Sequence, residues 1–327
     1  MRVPSGDAVQ RVYAVADHGG LTIFEVENCS PLPFALAVSR GDLLASRPPS
    51  PAAAVDSPVG AGAVLYPVAH RTTLRLALAH DGRPAGALPS PAPPSAEQVA
   101  RGWRAFADAS GRIEVPDEAL VESVMAARCA LVLDGPPDPS DDPAAFLLAV
   151  AEGGAAGASG AAVLVEHVAA AAERLARRHR RARSVPWDVP PALSAAAVVL
   201  RAAGEQRAAN DVAAALARLT PALEVPPVTD LDGARLLAHA YSRLVQPLDG
   251  GADLLPRVPR DWYGQSVEAH NLRVPAGTVG VAVRWHGARP ALLWECSAPM
   301  RLTASALDPS WSVDATTAGE ALLASPP

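Results

Sequence analysis

From Arg11 to about Ala79 apolar and polar residues alternate in short runs, RVYAVAD, LTIFEVEN, FALAVSR, AVLYPVA and TTLRLALA, the period of strands that bury one face. Gly19 and Gly20 fall where a hairpin needs positive φ, and Asn28 with Ser30, Pro31 and Pro33 supplies the next turn. These runs predict a small antiparallel β-sandwich over 1–82, interrupted by an exposed loop at SRPPSPAAAVDSPVG, Ser46–Gly60. A Pro/Ala-rich linker over 83–94 follows it.

At Ser95 the period changes to 3.6. Ser95 and Gln98, three residues apart, form a capping box at a helix start. Helices are predicted near 95–109, 117–134, 141–152, 159–181, 190–203, 205–219 and 229–246, with stripes such as Leu237, Tyr241 and Leu244 marking their buried faces. Short connections make neighbours in this 95–246 domain hairpins. A loop at 247–260 then leads into a C-terminal β region, 247–327, in which SVEAHNLRV, VGVAVRWHG, ALLWECS and MRLTASAL read as strands and HGARP as a turn. Strands, helices and strands in that order predict an α+β fold: an N-terminal antiparallel β-sandwich, a central layer of about seven helices in antiparallel hairpins, and C-terminal strands. Segregated elements argue against a βαβ nucleotide-binding fold, and neither GxGxxG nor GxxxxGK[ST] occurs.

Composition narrows the function classes. The chain has 327 residues, enough for two or three cooperative units. All 28 basic residues are arginine, a bias of GC-rich bacterial genes that removes most of the weight an arginine excess would carry. A net charge of −6 gives no global attraction to nucleic acid or to an anionic membrane. No secretory signal and no run of about 18 apolar residues is present, so a cytoplasmic location is expected and no membrane partner. Cys29, Cys129 and Cys296, odd in number and far apart, suit reduced thiols. No CxxC or HExxH pattern, no GxSxG elbow and no cofactor motif stands out, so neither a metal nor a cofactor is expected.

The chemistry concentrates near the C-terminus. Trp262, Trp285 and Trp294 are three of the six tryptophans, and they stand near the carboxylates Glu268 and Glu295 and the donors His270, Arg284 and His286. Aromatic faces beside charged hydrogen-bonding groups suit a sugar. Together with the order of elements, GQSVEAHNL and VAVRWHGARPALLWE resemble the layout of six-hairpin glycosidases, the clan of glucoamylase-like and glycogen-debranching enzymes, in which a β-sandwich leads into an α/α toroid. A full toroid takes about twelve helices, so the resemblance implies a partial one. It implies a glycoside hydrolase acting on an α-glucan or oligosaccharide, in which one carboxylic acid protonates the leaving oxygen and another carboxylate activates water across about 6.5–9.5 Å. Asp188 after Trp187 in VPWDVPP matches the acid and Glu268 in YGQSVEAH the base, with Trp187, Trp262, Arg284, Trp285 and His286 holding the sugar.

Plainer roles compete at each position. Asp188 precedes a helix that opens with Pro190 and suits an N-cap. Glu268 and Glu295 alternate with apolar neighbours as solvent-facing strand residues do, and large aromatics in strands commonly serve the core. RLARRHRRAR, Arg174–Arg183, is a basic helix end favoured by the helix dipole, and without interleaved aromatics it does not read as a nucleic-acid site. The expected protein is thus carbohydrate-linked, of glycosidase-like architecture, sugar-binding and catalytically degenerate. The alternative is a non-enzymatic scaffold whose helices dock a protein partner and whose strands from both ends pair in one sandwich.

Overall fold

The computed structural model describes residues 2–3, 6–50, 63–155, 163–182, 184–219, 231 and 233–326. The chain is α+β. It divides into two compact units, Met1–Trp103 and Arg104–Pro327.

The first unit contains β1 (Arg2–Val3), β2 (Gly6–Val15), β3 (Leu21–Asn28), β4 (Phe34–Val38), β5 (Leu44–Ala45), β6 (Val64–Val68), β7 (Thr73–Ala79) and β8 (Gly86–Ala87). Six of these form a sheet in the order β1-β2-β3-β7-β5-β8, and β4 pairs with β6 in a second. Alternation along β3 and β7 explains the packing. Leu21 and Ile23 oppose Ala79 and Ala77 and pack with Tyr13 and Val15, whereas Phe24, opposite Leu76, turns to the other face and meets Leu36, Tyr66 and Val68. Gly19 and Gly20 do adopt positive φ between β2 and β3, at 85° and 89°. The buried Asn28 amide anchors the following turn by donating to the carbonyls of Leu32, Val68 and Ala69. Residues 51–60 of the expected loop lie outside the described residues.

Helix α1 (Ala96–Ala109) opens with the capping box: Ser95 N–H donates to Gln98 Oε1 at 2.8 Å, and Gln98 N–H donates to Ser95 Oγ at 3.3 Å. The second unit continues with β9 (Ile113–Glu114), α2 (Glu118–Asp134), α3 (Pro143–Ala155), α4 (Val165–His179), α5 (Val189–Ala202), α6 (Gln206–Leu216) and α7 (Gly233–Leu244). Asp117 caps α2 by accepting from Leu120 N–H, and Asp142 caps α3 by accepting from Ala145 N–H. The expected helix starts at 159 and 229 fall outside the described residues.

Strands follow as β10 (Val245–Leu248), β11 (Gly251–Leu254), β12 (Val267–Val274), β13 (Gly277–His286), β14 (Arg289–Ala304) and β15 (Asp308–Leu322). Their sheet runs β10-β11-β14-β13-β12-β9, with β15 also on β14. Among the described residues, strands β1–β8 and β9–β15 share no sheet. Three features depart from the sequence reading. The expected loop at 247–260 begins as the β10–β11 hairpin, closed by Asp249 and Gly250. ALLWECS and MRLTASAL are one bulged strand, β14. Finally, β15 emerges from a largely polar, exposed stretch whose apolar alternation is limited to Trp311 and Val313.

The second unit stacks in layers. Sheet residues Val267, Val281, Leu292 and Leu302 share a core with Leu120 and Val124 of α2 and Leu236, Leu237 and Leu244 of α7. A second core joins α3, α4, α5 and α6, centred on Phe146, Leu147, Val168, Leu193 and Leu200, and Ala234 and Ala238 bring α7 into it. Helix α7 therefore belongs to both cores, large residues toward the sheet and alanines toward the helices. Gly251, opposite Arg301 in the parallel β11–β14 pair, has no room for a side chain, because a Cβ there would fall on the Arg301 carbonyl oxygen. Gly251→Ala is expected to destabilise the fold by roughly 1–3 kcal/mol through overpacking, read as a lower urea midpoint.

Candidate functional site

A cavity of ≈ 840 Å³ lies in the second unit, walled largely by alanine, leucine, proline and valine from α3, α5, α6 and α7 and closed by the β10–β11 turn and β12. That size is ordinary for a small-molecule site. Its charged floor is a cluster that ties three helices together. Arg128 of α2, 4% exposed, donates through Nε to Glu152 of α3 at 2.8 Å and through Nη2 to the Tyr241 hydroxyl of α7 at 2.7 Å. Tyr241 donates to Glu152 at 3.0 Å, Ser110 donates to the same carboxylate at 3.3 Å, and Arg128 Nη1 reaches the Ala107 carbonyl at 3.1 Å. Burial and the Glu152 charge raise the Tyr241 pKa, so the phenol stays protonated. Burial works against the Arg128 charge, but Tyr241 and Glu152 outweigh it.

Local backbone shape aims β12 at this floor. A bulge between Ala269 and Leu272 puts Asn271 at φ 58° and brings His270 and Asn271 to the cavity wall. Gly111, at φ 148°, lets the chain pass beneath: a Cβ there would stand 2.9 Å from the His270 carbonyl oxygen and 3.4 Å from Arg128. Trp187 lines the cavity with its ring set edge-on to His239, centroids 6.0 Å apart. Ser194, Gln246 and Asn271 line it with side chains that form no hydrogen bond to another described residue.

Of the residues expected from the sequence to catalyse or to hold the sugar, Trp187 alone lines the cavity, joined by His270, which was named among the nearby donors. Asp188 stands at the N-cap of α5 but makes no capping bond there; it is ion-paired with Arg235 at 2.8 Å, and Arg235 also bridges to Asp142. Burial pushes the Asp142 pKa up, yet the bond from Arg235 outweighs it and leaves that carboxyl below its ordinary value. Glu268 is in another cluster on the sheet, bonded to Arg284 on β13 at 2.5 Å and to His270 at 2.8 Å. Those two bonds hold its pKa below the ordinary value, which weakens it as a proton acceptor. The two carboxylates share no partner. Trp262 is buried in the sheet core, and Trp285 leans on Tyr263 with centroids 5.5 Å apart, so protein covers these faces of the expected sugar platform. Arg284 is spent on Glu268, and His286 is exposed at the end of β13. Among the described residues no three His, Cys, Asp or Glu side chains gather as a metal site would require. None of the helices is long and apolar enough to cross a membrane, among the described residues. Compared with known families, with curated proteins and with solved structures, the chain matches none.

The floor residues were not singled out from the sequence as chemistry. Arg128 and Glu152 are 24 positions apart, and Arg128 and Tyr241 are 113 apart. The available signal was a lone charge on an apolar helix face: Arg128 continues the stripe Leu120, Val124 and Ala127.

Arg128→Met is expected to cost about 1–3 kcal/mol, since it leaves the partly buried Glu152 carboxylate without its counter-charge, and adding Glu152→Gln should recover part of the loss; denaturant unfolding of the three proteins measures both steps. His239 offers a pH test. It is 9% exposed and neither ring nitrogen has a hydrogen-bond partner. Burial, aided by the charges of Arg243 and Arg257, lowers its pKa from 6.5 to about 4. Between those values the unfolded chain binds a proton that the folded chain refuses, so stability is lost as pH falls through this window, by up to about 3 kcal/mol. In His239→Phe the urea midpoint should fall less between pH 7 and 4.5 than it does in the wild type.

Proposed function

We propose that the chain is a saccharide-binding protein that holds its ligand in this cavity without hydrolysing it. One observation carries the reading: an aromatic side chain, Trp187, and a cluster of charged and hydroxyl groups, the buried Arg128 with the partly buried Glu152 and Tyr241, line a single space of ≈ 840 Å³. A pyranose presents an apolar C–H face that packs on an indole and a rim of hydroxyls that need donors and acceptors. The uncommitted side chains of Ser194, Gln246 and Asn271 can supply the hydroxyl contacts.

Hydrolysis asks for more. It needs two carboxyl groups across the scissile bond, one of them able to give up a proton. Of the two carboxylates that line the cavity among the described residues, Glu152 is occupied by Arg128, Tyr241 and Ser110, and Asp249 stands alone at the β10–β11 turn. Asp188 and Glu268 are committed to arginines away from the lining, which supports a binding role over a catalytic one.

A thermal-shift screen with glucose, maltose, maltotriose, trehalose and a non-sugar control tests the reading. A saccharide at 100 times its Kd should stabilise the protein by about 2.7 kcal/mol. Trp187→Ala should lose the shift, and incubation with the bound sugar should release no product. A flat response to every saccharide would overturn the reading in favour of a scaffold.

A further inference from the structure

The charges around the cavity do not balance. Arg128 and Glu152 cancel in their ion pair, and His270 faces Glu268. What is left along the lining is Arg201 at the end of α5, Arg257 after β11 and Arg273 on β12, opposed by Asp249. None of these three arginines is ion-paired to a carboxylate among the described residues, although acidic residues outnumber basic ones in the chain, 34 to 28. A protein short of positive charge has nonetheless left three guanidinium groups unmatched around one concavity.

Resting on the saccharide reading, we propose that the cavity selects sugars carrying an anionic group, a phosphate ester or a uronate carboxylate, seated by Arg201, Arg257 and Arg273. Arg201 is already oriented, because its guanidinium donates to the Pro275 carbonyl, another lining group, and keeps further N–H groups for a ligand. Guanidinium forks match the planar or tetrahedral oxygen sets of carboxylate and phosphate with paired, charge-assisted bonds. Like charges around a partly enclosed, apolar-walled space also concentrate potential there, since the walls exclude the water that would screen it. The field extends into the neighbouring helix layer, where Arg257 is one of the charges that disfavour protonation of His239. A neutral sugar would leave Asp249 as the one carboxylate along the lining, among the described residues, set against the three arginines.

Calorimetric titration of the full chain with glucose, glucuronate, glucose 6-phosphate and inorganic phosphate, at low and high salt, decides the matter. Glucuronate and glucose 6-phosphate are expected to bind at least about tenfold more tightly than glucose, a preference of about 1.4 kcal/mol. That preference should shrink with added salt and disappear in Arg257→Gln/Arg273→Gln, whose exposed substitutions leave the core untouched. Equal affinity for glucose and both anionic sugars would overturn this inference and leave saccharide binding standing. Binding of inorganic phosphate as tight as that of glucose 6-phosphate, with none of glucose or glucuronate, would instead overturn the saccharide reading and retain the anion site. If none of the four binds, both fall.

Discussion

The second unit depends on one buried charge. Arg128 lies almost wholly out of water, and a lone guanidinium there would cost several kcal/mol. It is tolerated because Glu152 supplies the counter-charge and Tyr241 a further oxygen, with the Ala107 carbonyl accepting from Nη1. The three side chains come from α2, α3 and α7, so satisfying the charge fixes those helices against one another. Helices α2 and α7 also carry the apolar face that packs on the sheet, and α3 and α7 join the second core. The ion cluster thus sits where the two cores meet. Apolar packing alone would let alanine-rich helices slide, since small side chains give few interlocking contacts; a hydrogen-bonded charge set admits one arrangement.

That arrangement explains why the wall above it is open. Residues Ala195, Ala213, Ala214, Ala217 and Ala238 face the cavity, and alanine fills little of the space between helices held apart by longer side chains elsewhere. Stability is supplied at the floor by Arg128 and along the sheet by Val267, Val281, Leu292 and Leu302, so the space between need not be filled. On the sheet side the β12 bulge and Gly111 bring backbone close to the floor without a side chain in the way.

Much of the fold was legible in the sequence because its signals are local. The 3.6 stripe in α7, the capping box at Ser95 and the alternation in β3 and β7 all act within a few residues. Where the reading failed, the determinant was weak or lay elsewhere. Strand β15 is largely exposed and carries little apolar alternation, so pairing with β14 decides it. The β10–β11 hairpin did have a local signal, Asp249-Gly250 as a two-residue turn, but α7 runs directly into it and the helical pattern masked its start. The site was far less legible. Tryptophan-rich strands drew attention to Trp262 and Trp285, yet a strand period says which face a residue takes and not whether that face meets solvent or another layer; here Trp262 is buried and Trp285 is partly covered by Tyr263.

The carboxylates carry the wider lesson about function. In sequence, Asp188 and Glu268 match the acid and the base of a hydrolytic pair only through the resemblance to six-hairpin glycosidases, Asp188 because it follows Trp187. In the fold each is held by an arginine, Arg235 or Arg284, and Glu152 by a third, Arg128. An ion pair fixes a carboxylate's orientation, and at Glu268 the bonds from Arg284 and His270 also lower its pKa, which weakens it as a proton acceptor. The same residue type can therefore stabilise or catalyse, and the partner decides which. In a chain whose only strong cation is arginine, a carboxylate paired with one faces a partner that is always charged and holds it in a fixed geometry. Three arginines along the cavity have no such partner among the described residues, so the positive charge there is not neutralised by the carboxylates that hold the rest of the fold.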